Sequence, residues 1–187
     1  MNDRNLIQRI SKNPEAFGEV IDAYQDKLMR YIRRTTDISY EDAENILQEV
    51  FIKVYRYIHE YDERYSFSSW IYRITHNMVI DNFRKSQKET LNISLEDEEY
   101  THILDSLTDG NSPHHDLRRS DTRICVQKAI SMLQHDYREI IVLRYLDEYS
   151  YEEISDILKI PLGTASTLVN RAKKQLKEHL KDHHCDS

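Results

Sequence analysis

Glycine and proline are almost missing from this chain of 187 residues, with three of each, and sustained alternation of β-branched residues is missing as well. A turn-rich β architecture is thereby excluded, and an all-α fold is the expectation. Cysteine is nearly absent too. Cys125 falls in a helical pattern and Cys185 close to the C-terminus, with no spacing that suggests a disulfide framework, so neither is needed for the fold. No apolar run approaches the roughly 18–20 residues of a membrane span, and the start, MNDRNLIQRISKNPEAF, lacks the apolar stretch of a secretion signal, which points to the cytoplasm. No glycine-rich phosphate loop and no nucleophile and base arrangement is present, so an enzyme, a cofactor and a small-molecule substrate are not expected. Metal is not expected either. His183, His184 and Cys185 are adjacent ligands at a terminus, which rarely close a tetrahedral site, and His114 with His115 adds little.

What the chain does have is charge, unevenly placed. Residues 1–90 carry 14 Lys and Arg against 15 Asp and Glu, residues 91–117 carry none against seven, and residues 118–187 carry 12 against 11. The net charge of −7 therefore belongs to the middle stretch, and a basic face on either flank is compatible with it.

Apolar residues recur at steps of three and four in the first flank. Phe17, Val20, Ile21, Tyr24, Leu28 and Ile32 form one stripe, and Ile46, Leu47, Val50, Phe51, Val54 and Ile58 a second behind Ser39 as N-cap. Trp70, Ile71, Ile74, Met78 and Phe83 form a third, which ends in Arg84, Lys85 and Lys88. The periodicity then fades through EDEEYTHILDSLTDGNSPHHD, whose composition is that of a flexible acidic linker. It resumes with Ile124, Cys125, Ala129, Ile130 and Leu133 on one side of a helix, followed by DYREIIVLRYLDEY. Two small helical domains are the result: residues 1–90, a linker over 91–120, and residues 121–187.

The second domain holds a helix-turn-helix. Ser150 and Glu153 make a capping box ahead of Ile154, Ile157 and Leu158, the helix ends near Lys159, IPLG turns with its glycine, and Thr164 caps the next helix. On that second helix Ala165, Leu168, Val169, Ala172 and Leu176 face one way, and Thr167, Asn170, Arg171 and Lys174 the other. Asn and Arg pair bidentately with adenine and guanine edges, while Thr and Lys suit methyl groups and phosphates, so the outer face fits a DNA groove.

From SMLQHDYREI to NRAKKQL the second module resembles the fourth domain of bacterial sigma factors, especially the two-domain extracytoplasmic-function (ECF) group. The first module is similar to their second domain through AFGEVIDAYQDKLMRYI, DAENILQEVFIKVYRYIHEYD and SFSSWIYRITHNMVIDNFRK. The resemblance implies a non-enzymatic transcription initiation factor that binds core RNA polymerase and promoter DNA and is held by an anti-sigma factor, often membrane-anchored. It places polymerase contacts at Asn45, Gln48 and Glu49. Reading and melting of the minus-ten element would fall to Arg64, Tyr65, Ser66, Phe67, Trp70, Asn77, Arg84, Lys85 and Lys88, although the place of Trp70 on the apolar stripe favours the core. Thr164, Ser166, Thr167, Asn170, Arg171, Lys173 and Lys174 would read the minus-thirty-five element. Relatives usually have Val-Lys/Arg-Ser-Arg where this chain has Ala165, Ser166, Thr167 and Leu168, which implies fewer phosphate contacts and a shallower salt dependence. The alternative is a helix-turn-helix regulator that acts on DNA without polymerase.

Overall fold

The computed structural model describes residues 7, 9, 10, 13–92 and 117–182. All seven acids of the linker therefore lie outside the described residues, as do His114, His115 and the His183, His184, Cys185 tail, and the side chain of Lys88 is likewise outside them. Among the described residues there is no strand. Among the described residues, seven α-helices make the body of the fold: α1 (Gly18–Thr35), α2 (Tyr40–Tyr57), α3 (Phe67–Asn92), α4 (Leu117–Ser131), α5 (His135–Ile141), α6 (Tyr151–Leu158) and α7 (Leu162–Asp182).

Local chemistry sets where the helices begin. Asn13 accepts the Glu15 amide ahead of the 3-10 turn Pro14–Phe17 that leads into α1. Ser39 Oγ accepts the Asp42 amide at 3.0 Å and starts α2, and Ser66 Oγ accepts the Ser69 amide at 3.0 Å at the head of α3. Ser150 and Glu153 form the expected capping box on α6, with both reciprocal bonds present. One element was not foreseen. The DYREIIVLRYLDEY stretch starts as α5 and then widens into a π-helical turn over Val142–Leu146, which keeps Val142 and Leu143 in the core while turning Tyr145 and Leu146 outward.

The expected stripes are buried with few exceptions. Val20, Leu28, Ile32, Val50, Val54 and Ile71 are shielded completely. Ile124 departs from the pattern, since Ala129, Ile130 and Leu133 are inside but Ile124 is half exposed. Cys125 is a second correction: it is disulfide-bonded, where sequence spacing gave no reason to expect a bridge. Its one possible partner within the chain, Cys185, lies outside the described residues. Pairing depends on the approach of two Cβ atoms in space, which spacing along a helical chain does not report.

The two sequence modules share one continuous core. α2 packs on α1 and α3, and α5 and α6 pack on α7. Across the boundary α3 lies against α6, and α1 against α5 and the π turn. Tyr72 and Tyr149 meet edge to face across this boundary at 4.9 Å. Asp147 sits beside them, hydrogen-bonded to Tyr72, and burial pushes its carboxyl above the usual range even though Arg34, Arg30 and Lys27 pull it the other way. A carboxyl raised in the folded state contributes stability below its unfolded value near 3.9 and loses that contribution as pH rises through the folded value. Asp147→Asn is therefore expected to flatten the fall in stability above about pH 4 and to leave the variant the more stable at pH 7, as read by urea unfolding across the pH range.

Candidate nucleic-acid and polymerase interface

The helix-turn-helix is built on a left-handed lysine. Lys159 adopts φ 55° and ψ 42° at the end of α6, with its amide donating to the Ser155 carbonyl. The Ile160 amide donates to the same carbonyl at 3.2 Å, and Ser155 Oγ donates back to the Ile160 carbonyl at 2.6 Å. Glycine was expected to make this turn. It does not: Gly163 lies within the first turn of α7 and has no positive φ. Thr164 is also not the cap. The Pro161 carbonyl accepts the amides of Thr164 at 2.8 Å and Ala165 at 3.0 Å, so α7 starts two residues before Thr164 and the threonine stands in its first turn. The proline, with φ fixed near the helical value, is what makes the earlier start cheap.

The inner and outer faces of α7 divide as the periodicity requires. Ala165, Val169 and Ala172 are fully buried, and Leu168 and Leu176 pack beside them. Thr164, Thr167, Asn170, Arg171, Lys173 and Lys174 are exposed and Ser166 is half-buried. Thr167 donates its hydroxyl to the Gly163 carbonyl at 2.8 Å, which leaves the hydroxyl oxygen free to act as an acceptor. The outer face presents amide, guanidinium and ammonium groups and no carboxylate between Thr164 and Gln175, which suits the grooves and phosphates of a duplex.

The loop between α2 and α3 is more constrained than its composition suggests. The Arg64 amide donates to Asp62 Oδ1 at 3.0 Å and its guanidinium to Oδ2 at 2.8 Å, and this pairing holds the Asp62 carboxyl down at about 2. Both groups are in solvent, so the pair adds little stability, but it fixes the direction of Arg64. The Tyr65 ring lies between two cations, with Arg73 at 5.7 Å and Lys159 of the helix-turn-helix at 5.1 Å. Ser66 is occupied as the cap of α3. Phe67, expected to line a pocket for unpaired bases, is entirely buried among Tyr24, Tyr61 and Trp70. It is the first residue of α3 and points under the helix into the core, where an aromatic ring is better accommodated than in solvent. Trp70 is buried too, at 6% exposure, with the ring centroids of Tyr61 and Phe67 each 5.5 Å away. Asn77, Arg84 and Lys85 follow on exposed positions of α3, with Arg84 within 3.9 Å of Asp81.

On α2, Asn45, Gln48 and Glu49 are exposed together. The same face carries Ile52 and Tyr55, exposed at 51% and 44%, which sequence reasoning passed over. The signal was present, since both are apolar residues lying off the buried stripe at helical spacing from Gln48. Two exposed apolar side chains among polar ones have the make-up of a protein-docking face.

The family model for Sigma-70 region 2 matches residues 20–89, which span α1 to α3. That for Sigma-70, region 4 matches residues 123–176 and so takes in the helix-turn-helix. A curated relative, the ECF RNA polymerase sigma factor SigW of Bacillus subtilis, is 35% identical over 182 residues, 96% of this chain and 97% of its own. The chain belongs to the ECF sigma factors. This ECF sigma factor is also 28% identical to the ECF RNA polymerase sigma-E factor of Haemophilus influenzae, over 96% of each chain. Among solved structures, the sigma factor RpoE bound to the anti-sigma factor NepR from Bartonella quintana shares its fold, with a TM-score of 0.71 and 23% identity over 88% of this chain and 96% of that one. CnrH in complex with the cytosolic domain of CnrY does so with a TM-score of 0.67 and 21% identity over 97% and 99% of the two chains. As a sigma factor of this group, the protein directs promoter-specific transcription initiation with core RNA polymerase. No helix among the described residues is long and apolar enough to cross a membrane.

Proposed function

We propose a division of labour between the two modules of this sigma factor. Residues 1–90 bind the polymerase through Asn45, Gln48 and Glu49 on α2, joined by Ile52 and Tyr55, and engage the minus-ten element through Arg64, Tyr65, Asn77, Arg84, Lys85 and Lys88. Residues 121–187 read the minus-thirty-five element with Thr164, Ser166, Thr167, Asn170, Arg171, Lys173 and Lys174. The observation that carries this reading is the outward face of α7, which gathers Asn170, Arg171, Lys173 and Lys174 on the exposed side of a helix whose opposite side buries Ala165, Val169 and Ala172. Phe67 has no place in it while it is in the core, and Trp70 acts by supporting the loop from beneath. Polymerase supplies the phosphoryl-transfer chemistry, so the sigma factor is not an enzyme, needs no cofactor and works in the cytoplasm. An anti-sigma factor is a further partner, by analogy with the two solved complexes.

Reconstitution with core polymerase and sequencing of transcript starts tests the reading. Promoter-specific starts with two shared upstream elements are expected. Binding to DNA without any association with polymerase would instead identify a simple helix-turn-helix regulator. Arg171→Ala is expected to cost about 1–3 kcal/mol of promoter affinity, roughly a five- to 150-fold loss, and to relax preference within the minus-thirty-five element. Unchanged run-off transcription from that variant would refute the assignment of the α7 face. Because Ser166 and Leu168 stand where relatives usually carry cations, the salt dependence of promoter binding is expected to be shallow, and Lys174→Ala should reduce its logarithmic slope by about one.

A further inference from the structure

One covalent bond in this sigma factor has no part in reading DNA or in docking on polymerase. Cys125 is disulfide-bonded, and among the described residues no cysteine is free. The chain holds two cysteines, so the bond within it runs to Cys185. The ring it closes is 61 residues long and takes in α5, the π turn, α6 and all of α7. In a protein that works in the cytoplasm such a bond is out of place as a permanent fixture, because thiol reductants there keep cysteines reduced. Disulfides of that compartment are usually transient and serve catalysis or redox sensing.

The place of Cys125 on α4 shows what the bond holds. α4 packs on α7 and α5. Ala129 is wholly buried there, with Ile130 and Leu133 almost so. Cys125 lies one turn before Ala129 on the same face and is half-buried, and Ile124 beside it is 53% exposed. The cysteine thus stands near the margin of the buried contact, where apolar packing gives out and a covalent tie adds what packing does not. Its sulfur is also not sealed in the core, as an inert structural cysteine would be. Ring closure acts on the unfolded chain: it removes conformations from the enclosed residues and so stabilises the module without a new contact inside it. The outward face of α7 is set by the burial of Ala165, Val169 and Ala172, which take no part in the bond, so both redox states present the same residues to DNA.

We propose that Cys125 and Cys185 form a reversible thiol–disulfide pair that makes the stability of the minus-thirty-five module, and with it promoter binding, respond to peroxide. One thiolate attacks a peroxide oxygen, the O–O bond breaks, and a sulfenic acid forms as hydroxide leaves and is protonated to water. The second thiolate attacks the sulfenic sulfur, the S–O bond breaks, the S–S bond closes, and a second water leaves. Two thiols thereby give up two electrons and two protons, and one hydrogen peroxide becomes two waters. A thiol reductant returns the electrons and protons through a mixed disulfide. The consequence for promoter binding rests on the division of labour proposed above.

The test uses the full chain, reduced with dithiothreitol, desalted and then treated with equimolar hydrogen peroxide. Peptide mapping without reductant is expected to find the Cys125 and Cys185 peptides linked to each other in monomeric protein. Thermal unfolding followed by circular dichroism should have a midpoint about 5–15 °C higher in the oxidised form, and reductant should bring it back. Cys185→Ser should melt with the reduced wild type after either treatment. A duplex carrying the minus-thirty-five element should bind both forms equally well below the lower midpoint, and between the two midpoints it should bind the oxidised form alone. Absence of the linked peptides, a bridge that joins two chains instead, or equal midpoints for the two forms overturns the pair. Failure of both forms to bind the duplex, with the midpoints still apart, would overturn the functional reading of α7 and leave the redox pair standing.

Discussion

Phe67→Ala is expected to lower the free energy of unfolding by about 3–5 kcal/mol, a third or more of what an ordinary domain possesses. The ring has no exposed surface, and its centroid lies 5.8 Å from Tyr24, 5.5 Å from Tyr61 and 5.5 Å from Trp70. Removing it deletes three edge or tilted aromatic contacts and leaves a cavity that rigid neighbours cannot fill. Urea unfolding followed by circular dichroism measures the loss, and Phe67→Leu should recover more than half of it by refilling most of the volume. A change below about 1 kcal/mol would mean that the ring is not core in solution, and the expectation that Phe67 lines a base pocket would return.

The second large effect concerns α2. Ile52→Glu is expected to weaken association with core polymerase by about 2 kcal/mol or more, roughly thirtyfold, because a charge would be desolvated in the proposed contact beside Asn45, Gln48 and Glu49. The side chain is 51% exposed in the free protein and supports no core contact, so the melting temperature should shift by no more than a surface substitution does. Pull-down with core polymerase and thermal unfolding, measured on one preparation, separate the two. Polymerase binding equal to wild type would remove Ile52 from the docking face, and a large loss of stability would show that its exposure is not what the structure describes.

The two changes contrast in what the sequence revealed about them. Phe67 follows a polar break and looks like part of a loop, so a pattern read along the chain assigns it to the surface chemistry of that loop. Only the packing of α3 against α1, with Tyr24 and Tyr61 closing around the ring, makes it core. Ile52 is the opposite case. Its exposure follows from the phase of the α2 stripe, which buries Val50, Phe51 and Val54, and was readable from spacing alone. The outer face of α7 was readable for the same reason, since a helix divided into apolar and polar sides has one orientation that buries the apolar side.

By itself, the sequence determined the helical class, the capping of α2 and α6, the helix-turn-helix with its outward Asn170, Arg171 and Lys174, and membership in a family through motifs in two modules. Those are consequences of local propensity, of 3.6-residue periodicity and of short-range hydrogen bonds, all of which act between residues close along the chain. Tertiary structure alone decided that Lys159 and not Gly163 takes the left-handed turn, that Cys125 is bridged, and that Glu139 meets Tyr31 and His76, residues 108 and 63 positions away. Contacts of that separation depend on how two modules dock. No periodicity records docking, because the groups that meet are each ordinary polar residues on their own helix.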